Sequence, residues 1–233
     1  MSPTRRLRSP RPSQRGAPAP TVPAVLAWLK AHADPATLAG MARYGLPRTH
    51  AVGVPMKALQ AYAKSLGTDH ALALALWDTG SYEARMLTAF VADPAALTGA
   101  QMDRMCRAFD NWGHVDTLCF RLFDRSPRAW DKVRAWMRRE PEFEKRAGFA
   151  LLWALALHDK AATDAQLLVA LKDLERAADD ERNFVKKAAV MALRAVSLRG
   201  AALKREVKAA CTRLAGSKHP GARWVGNETL RKL

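Results

Sequence analysis

The side chains in this chain with the type and spacing for chemistry fall in three short stretches. The first is FDNWGHVDTLCFRLF, from Phe109 to Phe123. It sets Trp112 and Asp116 four residues apart, one helical turn, in an otherwise apolar segment. One reading makes Asp116 the working carboxylate of an active site, with Trp112 beside it as an aromatic wall. The other makes Trp112 a core residue and Asp116 an anion that stabilises the first turn of a helix through its dipole. On spacing alone the second reading is the simpler.

The second stretch is EFEKRAGFALLWALALHDK. It turns strongly apolar after Arg146, which predicts a central core helix. Arg146 stands at the polar boundary. There an arginine can extend its head to water, pair with a local acid such as Glu142, or hold a phosphate in its guanidinium fork. His158 and Asp159 are expected to close the helix, where the dipole favours a histidine, and are not read as catalytic. The third stretch is DERNFVKKAAVMALRAVSLRG. Val185, Ala188, Ala189, Ala192 and Val196 make an apolar stripe. Lys187, Met191 and Arg194 fall at i, i+4 and i+7 on a shared edge, with Arg182 and Lys186 on a neighbouring one. Cations fixed on a rigid helix suit phosphates, and the same pattern also fits a solvated basic face.

The elements that position these side chains are helical. The chain has 233 residues, 49% of them hydrophobic, enough for a sizeable core. Ala and Leu are abundant and β-branched residues sparse, which favours helix. The pattern predicts helices over 22–32, 36–43, 55–66, 69–78, 82–92, 98–109, 113–123, 127–138, 141–157, 163–178, 182–198, 202–214 and 219–232. Thr98 with Gln101, and Thr163 with Gln166, fit capping boxes. Pro94, Pro127, Pro141 and Pro220 are placed at helix beginnings, and Gly80, Gly200 and Gly216 in turns. Short amphipathic helices with tight links predict an all-α superhelical solenoid of antiparallel HEAT-like pairs, with a concave basic groove. A compact orthogonal bundle is the alternative. Residues 1–21 are expected to be a disordered basic arm rich in Pro and Arg, and 22–233 a single domain.

Charge narrows the partners. The formal net charge is +16. The first 20 residues carry five arginines and no acid; residues 21–181 are balanced; residues 182–233 carry 13 basic residues against Glu206 and Glu228. A neutral body with a basic C-terminal region is the footprint of a polyanion binder, and nucleic acid is favoured over a membrane surface. No apolar run is long enough to span a bilayer, and the first residues lack the apolar core of a secretory signal. Cys106, Cys119 and Cys211 form no C-x-x-C pair, which suggests free thiols in a reducing compartment. The six histidines show no ligand spacing, so no metal is assigned. The sequence holds no Gly-rich phosphate loop and no recognisable Ser-His-Asp set, so no nucleotide cofactor is expected.

Taken together, MARYGLP, GVPMKALQAYAK, LALALWDTGSYEARML, FDNWGHVD, KRAGFALLWALALHDK, ERNFVKKAAVMALR and ARWVGNETLRKL resemble, in order, the HEAT-like-repeat DNA alkylation repair proteins, the AlkD-type DNA glycosylases. They span nearly all of residues 39–233. The resemblance implies a helical superhelix that holds duplex DNA and excises purines alkylated at N3 or N7. It implies that Trp112 packs against the lesion nucleotide, that Asp116 is the catalytic carboxylate, and that Arg146 beside it helps hold the DNA backbone. Lys186, Lys187, Met191, Arg194 and Arg223 are assigned to DNA binding. At one position the chain departs from the family pattern. Met191 stands where these glycosylases place a second tryptophan, and Met has no aromatic face.

The chemistry fits that residue set. An N3- or N7-alkylated purine already carries positive charge and leaves without protonation, so the two carboxyl groups of ordinary glycoside hydrolysis are not required. One carboxylate can stabilise the oxocarbenium-like sugar and orient water, and one aromatic wall can favour a cation. Such a set suits alkylpurines better than neutral bases. The expected protein is a monomeric, cofactor-free, cytoplasmic, nucleoid-associated DNA glycosylase. The alternatives are a weakly active relative that binds distorted or branched DNA, and a HEAT-like protein–protein scaffold.

Overall fold

A computed structural model describes residues 20–233 and is predominantly helical over that range. The thirteen helices are α1 (Val22–Ala31), α2 (Pro35–Met41), α3 (Met56–Leu66), α4 (His70–Asp78), α5 (Tyr82–Val91), α6 (Gly99–Arg107), α7 (Trp112–Arg121), α8 (Ala129–Met137), α9 (Glu142–His158), α10 (Asp164–Ala177), α11 (Asn183–Ser197), α12 (Ala201–Ala215) and α13 (Pro220–Leu230). Two 3-10 turns, Ala42–Tyr44 and Phe123–Arg125, follow α2 and α7. No strand occurs among the described residues. The basic arm expected over residues 1–21 falls almost wholly outside them.

Each helix expected from the sequence is present, with ends shifted by no more than two residues. Both capping boxes form. Thr98 Oγ1 accepts from the Gln101 backbone N–H at 3.2 Å while Gln101 Oε1 accepts from the Thr98 N–H at 2.8 Å. Thr163 and Gln166 repeat this at 3.2 and 3.0 Å. The prolines follow expectation in part. Pro220 is the first residue of α13 and Pro141 caps α9, but Pro94 and Pro127 sit in turns before α6 and α8. For α6 the Thr98 box fixes the start five residues beyond Pro94, because a reciprocal pair of hydrogen bonds specifies a helix end more tightly than a proline does.

The helices stack in two rows. In the inner row α3 packs on α5, α5 on α7, α7 on α9, α9 on α11 and α11 on α13. In the outer row α8 packs on α10 and α10 on α12, while α4, α8 and α12 lie back against α5, α9 and α13. This is the superhelical solenoid expected from short helices and tight links; each helix buries its apolar stripe against sequence neighbours. The central element is α9. It is buried from Arg146 to Ala156 apart from Trp153, as its nearly unbroken apolar run requires. Gly148 lets α8 come close: a Cβ there would lie 2.4 Å from the Met137 backbone nitrogen.

A second anchor fixes the link between the 3-10 turn at 42–44 and α3. The carboxylate of Glu83, 1% exposed, accepts from the backbone N–H groups of Val52 at 3.0 Å and Gly53 at 2.7 Å. Gly53 has φ 82°, and a Cβ there would lie 2.5 Å from the Asp34 carbonyl oxygen. Only glycine fits both the dihedral and the space.

Candidate functional site

Helix α7 begins at a dense polar cap. Asn111 Oδ1 accepts from the His114 backbone N–H at 2.9 Å, the N-cap geometry that asparagine favours. The buried His114 ring lies 2.8 Å from Asn111 Nδ2 through Nδ1 and 3.1 Å from the Tyr82 carbonyl through Nε2. The carbonyl can only accept, so Nε2 carries the proton and Nδ1 accepts from Asn111. Gly113 leaves no room for a side chain, since a Cβ would approach Tyr82 Oη to 2.8 Å and Leu46 to 2.9 Å. This cap holds Trp112 at the helix mouth. Its indole N–H donates to the Tyr44 carbonyl at 2.8 Å, joining α7 to the 42–44 turn, sixty-eight residues away in sequence.

Asp116 lies one turn further along, on the α7 face toward α9. Arg146 of α9 meets it with a two-pronged ion pair: Nε donates to Oδ1 at 3.0 Å and Nη2 to Oδ2 at 2.7 Å. The remaining guanidinium nitrogen donates to the Phe184 carbonyl at the start of α11. One side chain thus ties together three successive inner helices. Of the roles open to Arg146, pairing with Glu142 is not the one taken; the partner is Asp116, thirty residues earlier, the residue that the resemblance sets beside it. Burial pushes the Asp116 carboxyl above the usual carboxylate range, and Arg146 opposes that shift by charge and by hydrogen bonding. Its side chain is still 21% exposed, so the carboxylate is reachable from the cleft.

That cleft has a volume of about 690 Å³. Trp112, Asp116 and Arg146 line it together, with Trp153 of α9, Lys187 and Met191 of α11, and Trp224, Glu228 and Lys232 at and beyond α13. Arg43, Tyr44 and Gly45 enter from the N-terminal side. The fold therefore gathers Trp112, Asp116, Arg146, Lys187 and Met191, which the sequence scatters over eighty residues.

Other anticipated residues are placed differently. Lys186 stands over the Trp224 ring at 4.8 Å from its centroid, a cation–π contact that props up the cleft wall. Arg194 lies against the Met191 sulfur at 3.9 Å and lines a smaller hollow with Lys204 and Lys232. Arg223 donates to the Ser217 and Lys218 carbonyls at 3.0 and 2.8 Å and so closes the turn between α12 and α13. Arg182 is the N-cap residue of α11 and pairs with Asp180. His158 ends α9, as expected, and pairs with Asp124.

Sequence reasoning passed over Trp153 and Trp224. A signal for Trp153 was present: it follows Arg146 by seven residues, two helical turns, and so shares its face. Nothing local marks Trp224, because the partner that orients it comes from another helix. The three cysteines are free and buried, and burial pushes their thiols upward, Cys211 to about 11. They are neutral at physiological pH. No cluster of metal-ligating side chains occurs among the described residues, and no helix among them is long and apolar enough to cross a membrane.

An all-α solenoid of stacked helix pairs defines a class by fold, the HEAT-like-repeat proteins. The family model described as "DNA alkylation repair enzyme" matches residues 25–217, and the chain belongs to that family. A solved structure described as "a new family of proteins related to the HEAT-like repeat DNA glycosylases with affinity for branched DNA structures" superimposes with a TM-score of 0.74 at 20% identity. The match covers 91% of this chain and 94% of that one. At that identity the likeness speaks to the fold. No curated protein matches the chain.

Proposed function

We propose that this protein is a monofunctional DNA glycosylase that holds duplex DNA along its inner helical row and hydrolyses the N-glycosidic bond of cationic N3- or N7-alkylated purines. The observation that carries the reading is the Asp116 carboxylate, oriented through both oxygens by Arg146 in a cleft shared with Trp112. The alkylated base leaves as a neutral molecule, so no acid need protonate it. Positive charge grows on the sugar instead. A carboxylate already in place stabilises that charge with no further reorganisation and can take the proton of the attacking water. Arg146 keeps the carboxylate in one orientation. Trp112, fixed through its indole N–H, offers a π face to a cationic base or sugar. Lys187, Arg43 and Lys232 line the same cleft and suit phosphates, with Met191 on its wall; Lys186, Arg194 and Arg223 extend the DNA-binding surface around it. On this reading the protein acts as a monomer on nucleoid DNA in the cytoplasm, and needs no metal or nucleotide cofactor because the substrate's own charge activates the leaving group.

The test is an excision assay on duplex DNA carrying N7-methylguanine or N3-methyladenine. Asp116→Asn is expected to lower base release on the order of 10²- to 10⁴-fold while DNA affinity is kept. If the variant releases N7-methylguanine as fast as the wild type, the role given to Asp116 is wrong.

A second reading has its own observation. Met191 occupies the cleft wall where the AlkD-type pattern has a tryptophan, and the structural relative is described as having affinity for branched DNA. A weakly active or inactive protein that binds distorted or branched DNA would show salt-dependent binding to four-way junctions without base release.

A further inference from the structure

Helix α9 is buried from Arg146 to Ala156 except at one residue, and that residue is Trp153. The largest side chain of the run is thus the one that reaches the open cleft. Helix register fixes where it stands. Asp116 of α7 meets Arg146 of α9. Phe120, one turn after Asp116, meets Trp153, two turns after Arg146. The two contacts come in the same order along both helices, so α7 and α9 run parallel. Trp112 precedes Asp116 by one turn. Trp112 and Trp153 therefore lie on opposite sides of the Asp116–Arg146 pair along the helix axes, and all four line one cleft. Phe120 holds the Trp153 ring edge to face, with centroids 4.5 Å apart and planes at 75°. That contact fixes the indole and leaves part of it open to the cleft as a rigid plate. The other candidates for such a plate are poorer. Trp224 already carries the Lys186 ammonium over its ring, 4.8 Å from the centroid, so a further cation there would meet like charge. Met191 of α11 has no aromatic face.

We propose that Trp153 is a second aromatic wall of the site, packed against the sugar of the lesion nucleotide from the side opposite Trp112, so that the sugar cation forms between two indoles and beside the Asp116 carboxylate. The proposal rests on the glycosylase reading above and adds to it a residue that determines specificity. The substrate already carries one positive charge, on the base. When the C1′–N bond breaks, its electron pair leaves with the base, which becomes neutral, and the charge passes to C1′ and the ring oxygen of the sugar. Water then adds to C1′ and gives its proton to Asp116. The total charge in the cleft does not change during bond breaking; only its place does. An aromatic face set at the sugar gains attraction as the charge arrives there, so it stabilises the transition state more than the bound substrate. The carboxylate is already engaged by Arg146 through both oxygens, which weakens its pull on a second cation and leaves work for a wall that carries no charge of its own. A neutral base offers no such transfer of existing charge, so the two walls select for a lesion that is cationic before it is cut.

The experiment measures binding of the full chain to two duplexes. One carries a pyrrolidine abasic analogue, cationic at neutral pH, and the other the neutral tetrahydrofuran analogue of the same shape. The wild type is expected to prefer the cationic duplex. Trp153→Leu and Trp153→Met, apolar but without a π face, should each cut that preference about fivefold, while Trp153→Phe keeps most of it and affinity for unmodified duplex is unchanged. Thermal melts show which variants fold, and the use of two apolar variants keeps the comparison if one does not. Excision of N7-methylguanine under single-turnover conditions is measured in parallel and should fall by a similar factor in the apolar variants. A preference as large in these variants as in the wild type, or no preference in the wild type, overturns the wall; if the wild type still excises the base, the glycosylase assignment stands. A preference that depends on Trp153 in a protein that releases no base keeps the wall and overturns the glycosylase assignment. Neither preference nor excision overturns both.

Discussion

The carboxylate of Asp116 takes a hydrogen bond on each oxygen from a single guanidinium, that of Arg146, across the contact between α7 and α9. The pair is mostly buried, and the third arm of the arginine holds the first turn of α11. The orientation of the candidate carboxylate and a structural joint are thus one feature.

Arg146→Ala is expected to lower stability by about 3–5 kcal/mol, because it leaves a buried carboxylate without its partner and removes the tie to α11. Urea unfolding measures the loss. Arg146→Lys keeps the charge but not the fork, and should retain part of the stability while excision still falls. A lysine variant as active as the wild type would show that the two-point geometry is not used.

The pH dependence follows from the same pair. The proposed reaction needs Asp116 ionised, so on that proposal excision is lost as pH falls through its folded-state pKa. Burial holds that value above the ordinary ~3.9, so the acid limb should lie above the range of an exposed aspartate. The sign for stability is opposite. A carboxyl whose pKa is raised by folding binds its proton more tightly in the native state, so acidification through this window makes the contribution of Asp116 to folding more favourable. Activity measured against pH, with circular dichroism alongside, should show excision falling before the fold is lost.

Met191→Trp is expected to raise excision, because it adds an aromatic face to the cleft that Trp112 also lines; a severalfold gain corresponds to about 1 kcal/mol of cation–π attraction. An unchanged rate with intact DNA binding would mean that Met191 does not limit the site.

Lys187 is exposed in the cleft, whereas Arg223 serves turn carbonyls. Lys187→Ala should therefore lower the slope of log affinity against log salt by about 0.9, the loss of one phosphate contact. Arg223→Ala should change the slope less and lower the melting temperature instead. Fluorescence anisotropy over a salt series separates the two.

Glu83→Gln tests the anchor of the 45–55 link. Replacing the ionised acceptor of buried backbone N–H groups should cost about 1–3 kcal/mol, read by thermal unfolding. Because this link follows the turn that holds Trp112 through Tyr44, excision should fall as well.

The helices and their two-row stacking were legible because the signals are local: an apolar stripe of period 3.6, a capping threonine with glutamine three residues on, glycine in the turns. Pro94 shows the limit of such signals, since the Thr98 capping box further along sets the start of α6; α8 begins two residues after Pro127 with no side-chain cap. The site was legible only as separate pieces. Trp112 and Asp116 could be paired by spacing, yet spacing alone also fitted a core tryptophan with a dipole-stabilised acid, and it was the ordered family segments that favoured chemistry. Arg146 was placed beside Asp116 by the resemblance alone; its spacing in the sequence left Glu142, water and a phosphate equally open as partners.

The sequence by itself determined a helical solenoid of this family and the few residues with the right chemistry, because helix formation and family pattern are written in neighbours along the chain. Only the tertiary structure decided that Arg146 takes both oxygens of Asp116 and reaches the Phe184 carbonyl, that Lys186 braces Trp224, that Arg223 closes a turn, and that Trp153 joins Asp116 in the cleft. Those choices depend on which helices lie side by side and how closely a Gly113 or a Gly148 lets them approach, distances that no local pattern encodes.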